Sequence, residues 1–462
     1  IMAETEADRH IVRGLALETA FLKRKLQERS ELDMAAVRWV LEKSREFYWT
    51  ATRLVGLGHL HDGSRRESPA GERVLRAIAS DRVRQAPHEP SRRIFVDATD
   101  TFDAHQVSGI QRVVLELARH LVALCDAQIV VIRNGAFVRL PDLEPVVFRE
   151  EDFLILADCG WNRLDDYRSS LASPARAGTK IVAIVYDCIP VRFPAAFAAG
   201  LSDAFIEWLR LVSRFCVGAI AISRTVAQEF ARFLQSREIG SRRPLKIGWF
   251  ALGFDIPSAS VASSGALGEL QKLSSGIFVT VGTLEPRKGH ATALDAMDKL
   301  WAEGRDCAYV IVGRKGWNVE HLVDRIERHP QNGRRLFWFD GLNDSDLAGV
   351  YRKAKALVSP SLAEGYGLPL VEAAHFGARI IASDIDVFRE VAPNADFFQV
   401  ANSDELAARL VEAIDLPRIA PPMETVTWRQ SAQRLYDILR HDRYQIAFDP
   451  AARDSLGATS PA

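Results

Sequence analysis

The sequence predicts an α/β protein of two doubly wound, Rossmann-like domains behind an N-terminal helical extension. Three observations carry that expectation. Apolar residues recur every three or four positions before residue 60, whereas after residue 93 short apolar runs alternate with amphipathic stretches. This change of period is expected where a helical arm gives way to a parallel sheet wrapped by helices. The runs form two series, and a Ser/Ala/Gly-rich stretch, SASVASSGALG at 258–268, separates them, a composition that marks a connection.

The elements follow in order. Within a helical arm at 1–60, Leu15, Leu22 and Leu26, then Leu32, Ala36, Trp39, Val40, Phe47, Ala51 and Leu54 form stripes at helical spacing. Ser30, three residues before Asp33, supplies a capping signal. Phe47, Tyr48 and Trp49 either pack within the arm or serve a protein partner or a membrane surface. Residues 61–92 are polar, contain Gly and Pro, and read as a linker with one short helix. The first domain, 93–257, holds IFVDA (94–98), the helix GIQRVVLELARHL, IVVI (129–132), FLILAD (153–158), KIVAIVYD (180–187) and AIAIS (219–223). A connection at 258–275 leads to the second domain, 276–426, with GIFVTVG (276–282), CAYVIVG (307–313), RLFWFDG (335–341), ALVSP (356–360) and RIIASD (379–384). A helix at 427–445 places Trp428, Ala432, Leu435 and Leu439 on one stripe. The aperiodic Ala/Ser/Pro/Gly-rich end, 446–462, predicts a disordered tail.

Composition narrows the functional classes. The 462 residues are 48% hydrophobic and 26% charged, with a formal net charge of −1. No global basic field therefore points to nucleic acid as a partner. The five cysteines are far apart and form no CxxC or His-paired spacing, which fits core thiols kept reduced in a cytosol. No apolar run approaches the roughly 18–20 residues of a membrane span, and IMAETEADRH lacks a signal peptide's apolar region. The expectation is a cytoplasmic protein, soluble or peripheral to the inner face of a membrane.

Ligands of doubly wound folds sit at the carboxyl ends of the strands, so the residues just after each run are the candidates. After GIFVTVG, Arg287 and Lys288 stand beside Gly289 at a helix entrance. Two cations, free backbone N–H groups and a helix's positive end make an anion site that suits a diphosphate; a solvated basic turn is the plain alternative. After ALVSP, Glu364 precedes a turn in which Gly365 and Gly367 permit close approach or positive φ, and Glu372 lies about one turn inside the helix that starts near Leu368.

This combination resembles the retaining, nucleotide-sugar-dependent glycosyltransferases of the GT-B type, family four, which includes bacterial mannosyl- and glucosyltransferases. The resemblance spans roughly 93–440 and is carried by EGYGLPLVE (364–372), VGTLEPRKGH (281–290), IVGRKGW (311–317), DSDLAGVYRKAKALVSPS (344–361), ASDIDVFREVA (382–392), VSGIQRVV (107–114), YDCIPVRFP (186–194) and AISRTVAQE (221–229). It implies that Glu364 binds hydroxyls of the donor sugar and Glu372 the nucleotide ribose, while the backbone from Gly365 through Tyr366 and Gly367 to Leu368 cradles sugar and phosphate oxygens. Carboxylates suit such hydroxyls because each offers two acceptor oxygens. Lys288 matches the family's phosphate-binding lysine. The arginine often found just after the strand's glycine is here Thr283, with Arg287 the candidate replacement. Gly109 resembles the glycine loop facing the diphosphate, and the helix at 427–445 is expected to cross back onto the first domain. Tyr186 and Asp187 either contact sugar or acceptor or form a buried Tyr–Asp hydrogen bond. His105 either reaches the donor or is a solvated loop histidine.

The implied reaction moves a hexosyl unit, with GDP-mannose the first guess and UDP-glucose or a deoxysugar donor behind it, to a hydroxyl of a glycan or lipid-linked acceptor in surface polysaccharide synthesis. No DxD-like pair follows a strand, and DSD at 344–346 reads as a helix-capping cluster, so neither metal nor other cofactor is expected. The rival reading is a non-catalytic sugar-nucleotide-binding module of a polysaccharide-assembly complex. An oxidoreductase would need GxGxxG after a strand and a ribose-binding acid some twenty residues later, which this chain lacks.

Overall fold

The computed structural model describes residues 68–85 and 92–450, apart from 106, 108, 198–199, 237–242, 255–267, 269 and 271–275. The chain divides into Ile1–Glu67 and Ser68–Ala462. The predicted arm, most of the interdomain connection and residues 451–462 therefore lie outside the described residues.

The short helix expected within the linker is a 16-residue one, α1 (Ala70–Gln85), and it packs on α2 (Gly109–Cys125). Its Arg and Asp residues make the segment look polar, yet Leu75, Ile78 and Ala79 fall at helical spacing and are buried, enough to seat one face.

The first sheet has the order β15-β8-β7-β6-β5-β1-β2-β3-β4. Its parallel centre consists of β1 (Ile94–Asp97), β2 (Gln128–Arg133), β5 (Phe153–Leu156), β6 (Lys180–Val185), β7 (Gly218–Ala221) and β8 (Leu245–Trp249). Strands β1, β5 and β7 are buried at every position, as helices on both faces require. Helix α3 (Leu201–Phe215) precedes β7, and α4 (Arg224–Gln235) follows it, started by Ser223, whose hydroxyl accepts from the Val226 N–H.

The sequence reading passed over short strands at both edges of this sheet: β3 (Ala136–Arg139) and β4 (Glu144–Pro145) on one side and β15 (Ile446–Phe448) on the other. β15 pairs antiparallel with β8, and Phe448 is buried, so residues 446–448, expected in a disordered tail, are structured. Periodicity cannot signal a three-residue strand. Its backbone partners and the pocket for Phe448 come from elsewhere in the chain.

The second sheet is wholly parallel, with order β11-β10-β9-β12-β13-β14, comprising β9 (Gly276–Val281), β10 (Cys307–Val312), β11 (Leu336–Phe339), β12 (Ala354–Ser359), β13 (Arg379–Ser383) and β14 (Asp396–Phe398). Its helices include α5 (His290–Ala302), α6 (Asp344–Lys353), α7 (Leu368–His375), α8 (Asp386–Val391) and α9 (Ser403–Asp415), with a further helix at Glu320–Glu327. The DSD cluster does open α6, but the cap is Asn343, whose side chain accepts from the Asp346 N–H. The last helix, α10 (Trp428–His441), carries a Thr427/Gln430 capping box. It returns to the first domain, burying Trp428, Ala432, Leu435, Ile438 and Leu439 in the same apolar cluster as α2.

The described part is thus two α/β domains of the GT-B kind in contact along the carboxyl ends of their sheets. No helix among the described residues is long and apolar enough to cross a membrane.

Candidate functional site

Two turns of the second domain build the site. After β9 the chain passes Gly282 and Thr283 into a short turn, Pro286–Lys288, and then α5. Gly289 holds φ +66°, and a Cβ there would collide with the Pro360 carbonyl oxygen, so only glycine lets this turn lie against the one following β12. The Leu362 N–H donates to the Arg287 carbonyl at 2.7 Å and ties the two turns together.

Across that seam Glu364 meets both predicted cations. Its Oε1 accepts from Lys288 Nζ at 2.6 Å and from the Ser361 hydroxyl at 2.7 Å, while Oε2 accepts from Arg287 Nη1 at 3.0 Å. The Glu364 side chain is 10% exposed. Burial alone would raise its pKa, but Lys288 and then Arg287 outweigh burial and hold it at about 2.

The two cations differ in spare capacity. Arg287 also donates to the Ala363 carbonyl at 3.1 Å and, through Nη2, pairs with buried Glu285 at 2.6 Å. Its fork is largely committed to holding Glu364. Lys288 carries three N–H donors and spends one on Glu364. Its side chain also lies across Gly282, the position where strand β9 opens towards a ligand.

Gly365 crosses to the other domain. A Cβ there would collide with the Tyr186 carbonyl oxygen and come within 3.3 Å of the Asp187 Cβ. The Gly365 carbonyl accepts from the Ser223 hydroxyl at 2.9 Å. Gly367 holds φ +102° ahead of α7. Among the described residues, the N–H groups of Gly365, Tyr366, Gly367 and Leu368 donate to no protein acceptor, as expected at a helix start open to a ligand. The side chains of Tyr366 and Leu368 take no part in that opening. Both pack into the first domain's apolar cluster, with the Tyr366 hydroxyl 3.3 Å from the Leu252 carbonyl.

Glu372 lies on α7, 6% exposed and apart from the Glu364 cluster. It accepts from Tyr351 of α6 at 2.8 Å and from Arg112 of the first domain at 3.3 Å. Burial raises its pKa, and Arg112 opposes that shift.

On the first-domain side the expectations separate. Asp187 sits at the mouth of β6, its carboxylate accepting from the Ile189 N–H at 3.0 Å. Burial raises its pKa against the field of Arg287, so it is close enough to the cation pair to feel it. Tyr186 turns inward and donates to the Ala157 carbonyl at 2.6 Å. That removes its hydroxyl from the cleft, and the alternative of a Tyr–Asp hydrogen bond is not taken either. His105 is exposed in the loop before α2, and among the described residues it forms no hydrogen bond or ion pair with the Glu364 cluster. Gly109 begins α2, and a Cβ there would meet nothing within 4 Å.

Several participants escaped the sequence reading. Glu285 lies two residues before Arg287, and Ser361 three before Glu364, spacings visible in the string but without meaning until the turns meet. Arg112 and Tyr351 looked like ordinary helix residues. His290 at the start of α5 donates through Nε2 to the Thr283 carbonyl at 3.3 Å. Trp317, after β10, donates to the Ala196 carbonyl at 2.8 Å and stacks on Phe197 at 5.9 Å. A buried acid pair, Asp97 and Asp158, lies at the ends of β1 and β5, raised by burial to about 6 and about 7. Tyr167 and Thr99 serve Asp97, while the Thr101 and Cys159 N–H groups serve Asp158.

The described residues form a two-domain α/β protein in which a turn carrying Arg287 and Lys288 meets the Glu364 carboxylate, and the comparisons with known proteins agree with that fold. Residues 269–426 match the family model described as "Glycosyl transferases group 1". Over 305 residues the chain is 34% identical to the serotype-specific mannosyltransferase WbdA of Escherichia coli, an alignment covering 63% of this chain and 37% of that one. It is 30% identical over 164 residues to the O-antigen chain mannosyltransferase B of Escherichia coli, covering 34% of this chain and 42% of the relative. The chain thus spans well under half the length of these relatives. Among solved structures, Alr3699/HepE of Anabaena in complex with UDP superposes with a TM-score of 0.50 at 16% identity, over 79% of this chain and 98% of that one. The N-terminal domain of Candida albicans trehalose-6-phosphate phosphatase gives a TM-score of 0.50 at 12% identity, over 77% and 98%. At such identities these two superpositions speak for the fold.

Proposed function

We propose that this chain is a retaining glycosyltransferase that moves a hexosyl unit from a nucleoside diphosphate sugar to a hydroxyl of a glycan or lipid-linked acceptor in surface polysaccharide synthesis. The observation that carries the reading is the clamp on Glu364 by Lys288, Arg287 and Ser361 at the carboxyl ends of the second sheet, beside a glycine that touches the first domain at Tyr186. That two of the sequence relatives are mannosyltransferases supports mannose as the sugar, with GDP-mannose the first donor to try.

The roles follow from chemistry. Glu364, charged and fixed by three donors, keeps acceptor capacity for sugar hydroxyls. Lys288 uses its remaining N–H groups on the diphosphate, whose negative charge grows as the glycosidic bond breaks. One cation at about 4 Å offers roughly 4 kcal/mol of Coulomb attraction at an effective dielectric near 20. Arg287 holds Glu364 in place and adds to the same field. In a retaining reaction the acceptor approaches on the leaving-group face, where a phosphate oxygen takes its proton. Asp187 then stands on the acceptor side as a hydroxyl-binding carboxylate. With charge stabilisation assigned to Lys288 and Arg287, the proposal includes transfer without a divalent metal. For a lipid-linked acceptor the reaction would run at the inner face of a membrane.

The test begins with a thermal-shift screen of nucleotide sugars, since a ligand selective for the folded state raises apparent stability, and continues to turnover with the best donor. Lys288→Ala should lower kcat about 10²–10³-fold, as removal of a transition-state charge stabiliser does. Activity should persist in chelator, and the product should keep the donor's anomeric configuration by NMR. Donor binding without transfer to any acceptor would favour the non-catalytic binding module instead.

A further inference from the structure

We propose that Arg112, carried by the first domain, is a positioning residue for the nucleotide's ribose: it holds Glu372 of the second domain in orientation, so that this half of the donor site is complete only when the domains meet. The inference deepens the proposed function and rests on the assignment of Glu372 to the ribose.

Each Glu372 oxygen has one donor. Tyr351 on α6, itself buried, donates to Oε2 at 2.8 Å, and Arg112 donates to Oε1 at 3.3 Å. A carboxylate offers about four lone-pair sites, so one remains on each oxygen. That side-by-side pair matches the vicinal 2′- and 3′-hydroxyls of a ribose. Keeping the plane in place needs both donors, because a carboxylate held at one oxygen still swings about that bond.

The two donors are not equivalent. Tyr351 belongs to the same domain and stays with Glu372 whatever the other domain does. Arg112 lies within the first turn of α2, three residues after Gly109. It is the one cation acting on Glu372 among the described residues, against burial and the field of Asp344. Arg112, Phe254, Tyr351, Glu372 and Phe376 line one cavity, which therefore has walls from both domains. The Arg112 side chain remains 29% exposed, and the Glu372 bond is its single hydrogen bond among the described residues. Its other N–H groups are available to a ligand entering there.

The experiment is a calorimetric titration of the full chain with GDP and UDP, each alongside its 2′,3′-dideoxy counterpart, on wild type, Arg112→Ala and Arg112→Lys. Wild type should prefer the ribose form of its nucleotide by at least about tenfold, the scale of hydrogen bonds to a charged group. In Arg112→Ala that preference should shrink to within about twofold, with donor KM raised more than kcat is lowered. Arg112→Lys, which keeps the charge but not the fork, should recover part of it. If Arg112→Ala keeps the full ribose preference while its melting temperature falls, the pair merely fastens the domains and the inference is wrong. If neither nucleotide binds wild type, the donor-site reading fails and takes this inference with it.

Discussion

His290 braces the turn after β9 from within the second domain. It is 1% exposed, its Nε2 bonds the Thr283 carbonyl, and its Nδ1 has no hydrogen-bond partner among the described residues. Burial depresses its pKa from 6.5 to about 4. The unfolded chain takes up a proton near pH 6.5, while the folded chain refuses it until about pH 4. The stability this represents is present above pH 6.5 and lost as the pH falls through that window, by up to about 3 kcal/mol. In His290→Asn the fall in melting temperature between pH 7 and pH 4.5 should therefore be smaller than in wild type; an equal fall would show that His290 is not the titrating group. Glu364 behaves oppositely. Its pKa of about 2 keeps the carboxylate ionised at any pH above about 3, so an acid limb in the activity of the proposed transferase should come from another group.

Among the elements, the turn from Ser361 into α7 does the most. Gly289 allows the neighbouring turn to lie against it, Gly367 supplies the positive φ that starts α7, and Gly365 touches the other domain. A methyl at Gly365 would meet the Tyr186 carbonyl, so its cost falls on contact between the domains and leaves the second domain's own core alone. Overpacking of this sort costs roughly 1–3 kcal/mol. Gly365→Ala should lose turnover by at least about tenfold and lower the ribose preference of nucleotide binding, while the melting temperature changes little. Comparable losses in all three would mean that the turn itself had collapsed. The edge strand β15 and the helix α1 have plainer tasks: one closes the first sheet, and the other covers α2.

At the scale of the molecule, the domains are fastened by groups that neither could satisfy alone. Glu390, on α8 of the second domain, accepts from the Arg224 N–H at 2.7 Å, the Thr225 N–H at 2.8 Å and the Thr225 hydroxyl at 2.6 Å. A second-domain carboxylate thus sits at the positive end of first-domain helix α4. Losing a cap typically costs about 0.5–2 kcal/mol. Glu390→Ala should accelerate amide exchange at Arg224 and Thr225 and enlarge the particle in small-angle scattering, with exchange in β9 and β10 unaltered. Unchanged exchange at the α4 start would show that the cap contributes nothing. Tyr366 in the first domain's apolar cluster and Trp317 on Phe197 add to the same contact, and α10 packs on α2 of the first domain.

Most strand centres, the double fold and the chain positions of Arg287, Lys288, Glu364 and Glu372 were legible in the string, because periodicity and the residues after each apolar run are local properties, whereas β8 and β14 were not read from it. The short edge strands, the seating of α1 and the inward turn of Tyr186 were not, since each depends on a partner far along the chain. The amino-acid order alone determined which cations and acids line the ends of the second sheet. Only tertiary packing decided that Arg287 is spent on Glu364 and Glu285, that Lys288 keeps donors to spare, and that Arg112 reaches Glu372 from the other domain. Hydrogen-bond capacity is shared out in three dimensions, and spacing along the chain says which groups are present without saying which are already taken.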